Sequence, residues 1–413
     1  MIGAATLFWY AVLWSVGVDV LVGARGIRHD RLTEVIFHIW NSQPIGAHGF
    51  AGALSLDAFA HRQVYTGHPP ALLVMWYVIA TISSALFGER LGYATNLIPF
   101  VQGALLSASF GWLAWSSSYT RGRWSLHRSA LLVLGLGFLL TARPLWTGFF
   151  MVQPDNPYPV VACLLLPMIP FVVEGLEQSR RAALVAVFAF ALAGPIYTPV
   201  VLGTLFVLLR ARGIDSRLRR VLITAAGAAL LIAVAGVIGP RLVATALGNT
   251  TDNSTWLFRS GLDGDRQYLD TVFAAIVDPF VNHGSAIQGY EPRRGLELAG
   301  MPAIVFLVAA ALACGRRESR ASSLTWMAGA GVLLLAPYLF TVVFFAQALT
   351  IHPYLYDYLL QFPLAAVGVA TMLHVARDTE SLGAVALAFG WLLTAGIMSN
   401  LIGLAQGVRV AVH

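Results

Sequence analysis

Apolar and polar residues fall along this chain in long alternating blocks. Apolar runs, most of them near the ~20 residues that cross a ~30 Å hydrocarbon core as a helix, occupy 4–22, 71–87, 92–117, 129–150, 158–175, 221–246, 300–313, 324–346, 358–375 and 382–405. Residues 182–209 read as two shorter helices broken at Gly194-Pro195, where the proline removes a donor and crowds the preceding turn. The pattern predicts about 12 spans. In lipid every backbone N–H and C=O must be paired within the protein, and apolar runs of this length do so as helices and not as barrel strands. The fold class expected is therefore all-α, a polytopic membrane protein.

The polar blocks divide into two kinds. Short connections at 120–128, 177–181, 210–220, 316–320 and Arg377-Asp378 are rich in Arg, the mark of cytoplasmic loops. The segments 24–69, 153–157, 247–299 and 350–358 are then expected on the non-cytoplasmic face. Within the first, Asp30 to Trp40 has apolar residues at helical spacing and polar residues opposite, which predicts helices lying in the interface plane of this first outer loop. The longest, 247–299, holds many Asp, Asn, Gly and Arg residues. It is too short for a separate soluble domain, so residues 1–413 are read as one transmembrane domain that includes the outer loops 24–69 and 247–299.

Composition agrees and excludes other classes. The chain is 58% hydrophobic and 11% charged, against about 25% charged in soluble domains. The net charge of +6 comes from 26 basic residues that are all Arg; their loop positions give them a topological role, and no nucleic-acid partner is implied. The first apolar run lacks a basic leader and a small-residue cleavage site, so it reads as a retained span. Cys163 and Cys314 lie in or beside apolar runs without a metal-ligand spacing and are expected as small buried hydrophobes.

Candidate chemistry gathers in the outer segments, where carboxylates and His stand beside Tyr and Pro at membrane boundaries. In Asp57-Ala-Phe-Ala-His61-Arg62-Gln-Val-Tyr65-Thr-Gly67-His68-Pro69-Pro70, His68 is either a phosphate ligand or a helix-start residue shaped by its prolines. Asp30, with Glu34 following, is either a base or an N-cap. Asp19 and Asp57 are its rivals; an ionisable group inside a span marks a functional site by default. Asp155 sits in Pro154-Asp155-Asn156-Pro157, also a strong turn signature. His352, Tyr354, Tyr356 and Asp357 either line a pocket or, for the tyrosines, join an aromatic belt at head-group depth. Arg259 and Arg293 are candidate phosphate donors; Arg293-Arg294 next to Glu291 and Glu297 also reads as simple ion pairing.

The order of these features resembles the GT-C superfamily of integral-membrane glycosyltransferases, nearest the protein O-mannosyltransferase and lipid A aminoarabinose transferase group. The residues that carry the resemblance are the amphipathic stretch Asp30–Trp40 after the first span, Tyr65-Thr-Gly-His68-Pro69-Pro70-Ala-Leu-Leu, a span ending in Leu86-Phe87-Gly88 with Arg90, Asp155 ahead of another span, and His352-Pro-Tyr354-Leu-Tyr356-Asp357-Tyr358 with Phe362-Pro363. They cover most of the first 175 residues and a patch near 350–365. Asp30 stands before Arg31 where the family often has Asp-Glu.

The resemblance implies inverting transfer of a sugar from a polyprenyl-phosphate donor to a hydroxyl or amine of a glycan, lipid or protein acceptor, in a bacterial plasma (inner) membrane with the active site facing outward. It implies Asp30, Asp57 and Asp155 as catalytic candidates, and Glu34, Tyr65, His68, Arg259, Arg293, His352, Tyr356 and Asp357 as substrate-binding candidates. A base must reach the acceptor's proton, and charge on the departing phosphate calls for Arg, His or a cation. A divalent cation (Mg, Mn or Ca) is compatible, with Asp155 and a first-loop acid as ligands, but no spacing demands a metal. The rival expectation is a transporter or flippase of an amphiphilic lipid-linked substrate, which also uses broken helices.

Overall fold

Where the apolar runs end is decided by a few residues. The first helix, α1 (Ile2–Ser15), stops because Gly17 takes φ 91°, the left-handed conformation in which glycine closes helices without a Cβ penalty. The Gly17 N–H returns to the Trp14 carbonyl at 3.0 Å. The run expected at 4–22 is thus a 14-residue helix, about 21 Å long at 1.5 Å per residue, with residues 18–22 outside the described part. Likewise α3 (Leu126–Leu140) ends ten residues before the expected 150: Arg143-Pro144 follows, and the residue before a proline is steered away from helix.

The computed structural model describes residues 1–17, 91–116, 126–142, 145–146, 162, 165–166, 168–170, 216–246, 268–281, 293–315, 320–351, 354–377 and 382–412. Besides α1 and α3 these form α2 (Leu91–Ser116), α4 (Ser216–Ala246), α5 (Tyr268–Val281), α6 (Arg293–Gly315), α7 (Arg320–Phe344), α8 (Ala346–Ile351), a helical turn Tyr354–Tyr356, a π-helical turn Asp357–Gln361, α9 (Phe362–Arg377) and α10 (Leu382–Val412). No strand occurs among the described residues. Ser323–Phe344, Asp357–Ala376 and Ala386–Ala405 are long and apolar enough to cross a membrane. The described residues are all-helical, and the chain is a membrane protein.

Helices α3, α6, α7 and α10 pack against α9. Its span is 94% buried, against 39% for Ser323–Phe344 and 33% for Ala386–Ala405, so α9 is the axis of the described bundle and the other two show one face outward. Close approach comes from small residues, as expected where helices pack without a hydrophobic driving force between them. A Cβ on Gly368 of α9 would lie 2.9 Å from Val305 Cγ1 and 3.1 Å from the Phe306 nitrogen of α6. On the other side, α3 bridges α1 and α10. The Trp9 indole N–H donates to the Val133 carbonyl at 2.9 Å, and Asn400 Nδ2 donates to the Phe138 carbonyl and Thr141 Oγ1, both at 3.3 Å.

Two expectations are corrected. The 247–299 segment is not only a polar loop: α5 is an apolar helix within it, and α6 begins at Arg293, seven residues before the apolar run. Cys314 is exposed, because it falls on the outward face at the last turn of α6. Cys163 lies outside the described residues.

Candidate functional site

The central span begins abnormally. At its head Asp357–Gln361 form a π-helical turn, closed by the Phe362 N–H bonding to the Asp357 carbonyl five residues back. Pro363 supplies a reason. It has no N–H to give, and its ring crowds the carbonyl four residues earlier, so a widened turn just before it relieves the ladder. Such single π turns inside α-helices occur frequently at functional sites.

This turn is buried. Asp357 is 5% exposed, Gln361 6%, Tyr356 1% and Tyr358 0%. A carboxyl group held inside a spanning helix is costly and marks a functional site by default. Tyr356 does not sit in an aromatic belt at the surface, since its ring is enclosed. It meets Tyr338 of α7 at a centroid distance of 6.3 Å and 60°, within the range of favourable aromatic pairs.

Tyr338 joins this turn to a distant part of the sequence. Its hydroxyl donates to the Ala275 carbonyl of α5 at 3.1 Å. A second tyrosine, Tyr268 at the start of α5, donates to the Val343 carbonyl near the end of α7. Helix α5 also lies against α8 and α6, and α6 touches the π turn. Two of the four segments expected on the non-cytoplasmic face, 247–299 and 350–358, therefore meet at one end of the described bundle.

Of the residues singled out from sequence, Tyr356 and Asp357 are in this cluster. Arg293 opens α6, the helix that touches the π turn; its side chain is not among those described. Asp19, Asp30, Glu34, Asp57, Tyr65, His68, Asp155, Arg259 and His352 lie outside the described residues. No group of three or more His, Cys, Asp or Glu gathers among the described residues. A cation at this end would need ligands from beyond them.

Two groups were not read from sequence. Gln361 stands four residues after Asp357; an amide in an apolar span is the signal that could have flagged it. At the other end of α9, His374 is 1% exposed and stacks on Trp326 of α7 at 4.5 Å and 8°. Buried beside them in sequence register are Thr371, one turn earlier on α9, and Ser323, one turn earlier on α7. The Ser323 Oγ, Trp326 Nε1 and Thr371 Oγ1 atoms have no hydrogen-bond partner among the described residues.

No protein-family model matches the chain, and none of the curated proteins compared with it matches.

Proposed function

We propose that the chain is a membrane glycosyltransferase of the GT-C kind, moving a sugar from a polyprenyl-phosphate donor to an acceptor hydroxyl or amine at the non-cytoplasmic face. The observation that carries the reading is Asp357, a buried carboxyl group in a π turn at the head of the most enclosed span. Tyr356 and Gln361 beside it give hydroxyl and amide groups suited to sugar hydroxyls. The apolar helical body supports a substrate whose tail stays in lipid.

In the proposed reaction Asp30, with Asp57 and Asp19 as rivals, takes the acceptor proton. The acceptor atom bonds to the anomeric carbon as the bond from that carbon to the phosphate oxygen breaks, and the configuration inverts. The lipid phosphate leaves with the electron pair. His68, Arg259 and Arg293 balance its charge, and Arg suits the task because its fork can hold two phosphate oxygens. Asp357, Tyr356 and His352 hold the sugar or acceptor. Where a divalent cation takes part, Asp155 and a first-loop acid are its oxygen ligands.

The test is a lipid extract from cells lacking the protein, read by mass spectrometry. A polyprenyl-phosphate sugar should accumulate and one glycan should lose a sugar, with wild-type chain restoring both and D357N restoring neither. Unchanged extracts would refute the reading. One observation favours transport instead: buried polar side chains stand at both ends of α9, at Asp357 and at His374. Reconstituted vesicles that move a fluorescent polyprenyl-phosphate lipid across the bilayer, without sugar transfer, would establish that second reading.

A further inference from the structure

Helix α5 has two faces of unlike surroundings. Thr271 and Ala275 are buried, at 4% and 0% exposure, and face the protein. Leu269, Phe273 and Ile276 are exposed, at 74%, 67% and 47%. Their spacing of four and three residues puts them in one stripe on a 3.6-residue helix. An apolar stripe left open in this way marks a surface with a partner.

The tethers say where the stripe lies. Tyr268 reaches Val343 and, seven residues on, Ala275 accepts from Tyr338, five residues back along α7. As α5 advances it moves from the end of the membrane span Ser323–Phe344 toward its interior. The offsets amount to about 10 Å along α5 and about 8 Å along α7. Helix α5 thus lies along α8 and beside the last turns of α7. At 14 residues it is about 21 Å long, too short to cross a ~30 Å core.

The stripe also continues the exposed apolar face of α7. On α7 the exposed residues Val332, Leu339, Val343 and Phe344 form the outward side of a spanning helix. Leu269 follows the tyrosine bonded to Val343, so the two apolar surfaces adjoin. Asp270, exposed and in the first turn, stands at the shallow end. A carboxylate there complements the helix N-terminus and can stay among head groups.

We infer that α5 is a half-immersed helix whose Leu269, Phe273 and Ile276 insert among the acyl chains of the leaflet at this end of the bundle. The partner is membrane lipid itself. The inference is independent of which reaction or transport the chain performs. It makes α5 the boundary between bilayer and the Tyr338–Tyr356 pair beside Asp357.

The test uses the full chain in phosphatidylcholine vesicles. A nitroxide is placed singly at L269C, F273C, I276C, A275C and D270C, with Cys163 and Cys314 replaced by Ser. The three stripe positions should be relaxed strongly by oxygen and weakly by a water-soluble nickel chelate. Asp270 should respond to the chelate more than they do, and Ala275 to neither. Strong chelate response at all three stripe positions would overturn the inference, as the helix would then lie in water. Weak response to both agents would overturn it too, as another stretch of this chain or a second copy would then cover the stripe. A second measurement keeps both native cysteines: p-benzoylphenylalanine at position 273 should, on irradiation, yield phospholipid adducts. Adducts to protein alone would refute lipid as the partner.

Discussion

The two ends of α9 bury polar groups by opposite means. At the Asp357 end the helix is widened into a π turn, and Tyr356 next to it in the chain is linked to α5 through Tyr338. At the His374 end the helix is regular and the imidazole lies flat on Trp326. One end is irregular and tied to α5; the other is a regular helix whose imidazole is stacked on an indole. The difference teaches that burial alone does not locate a site. Backbone irregularity and a tether to α5 separate the proposed substrate end from the end where His374 stacks on Trp326.

The sharpest way to break this contrast is W326A. Removing a fully buried Trp costs about 3–5 kcal/mol, so the variant should lower the melting temperature strongly, measured by fluorescence-detected unfolding in detergent. Sugar transfer per folded molecule should stay near wild type; loss of transfer with an intact fold would give the His374 end a functional share.

D357N tests the other end. In the proposed reaction, loss of a hydrogen-bonding group held against substrate costs about 2–4 kcal/mol in the transition state, hence roughly 100-fold or more in kcat/KM, with an unchanged melting temperature. A Tm shift without a rate change would make Asp357 structural.

G368A addresses the frame that both ends share. The added methyl would stand 2.9 Å from Val305 and 3.1 Å from the Phe306 backbone, and overpacking of this kind costs about 1–3 kcal/mol. Stability and transfer should fall together, because α6 touches the π turn as well as α9.

Y338F is the mildest change. It removes one hydrogen bond to Ala275, worth about 1 kcal/mol, and should loosen α5 more than the bundle. Faster hydrogen exchange confined to 268–281 would confirm the tether; exchange spread over α9 would contradict it.

Helices flanked by clear punctuation were legible. Residues 92–117 and 382–405 were read nearly as α2 and α10, since polar or Arg-bearing loops bound them. Helix α5 escaped because Asp270, Asp278 and the polar residues around it dilute its apolar stripe. Helices α1 and α3 end inside their apolar runs, at Gly17 and ahead of Arg143-Pro144, because hydropathy does not register where a glycine or a proline interrupts a helix. At the site, Asp357 and Tyr356 stood out as polar residues opening an apolar run. Tyr338 and Trp326 carry no signal in the sequence, since what sets them apart is a contact with residues far along the chain. The π turn has no hydropathy signature at all.

That widened turn fixes an angle as well as a location. Each residue of an α-helix turns the chain by about 100°, and the π turn holds one residue more than its α equivalent. Tyr354–Tyr356 are therefore rotated by about a quarter of a circle from where a straight continuation of α9 would aim them. Deleting one residue from Asp357–Gln361 would let a regular α-helix form and keep Tyr356 on Tyr338, whereas straightening the turn at unchanged length would swing Tyr356 off Tyr338 and point that end of the span at a different neighbour.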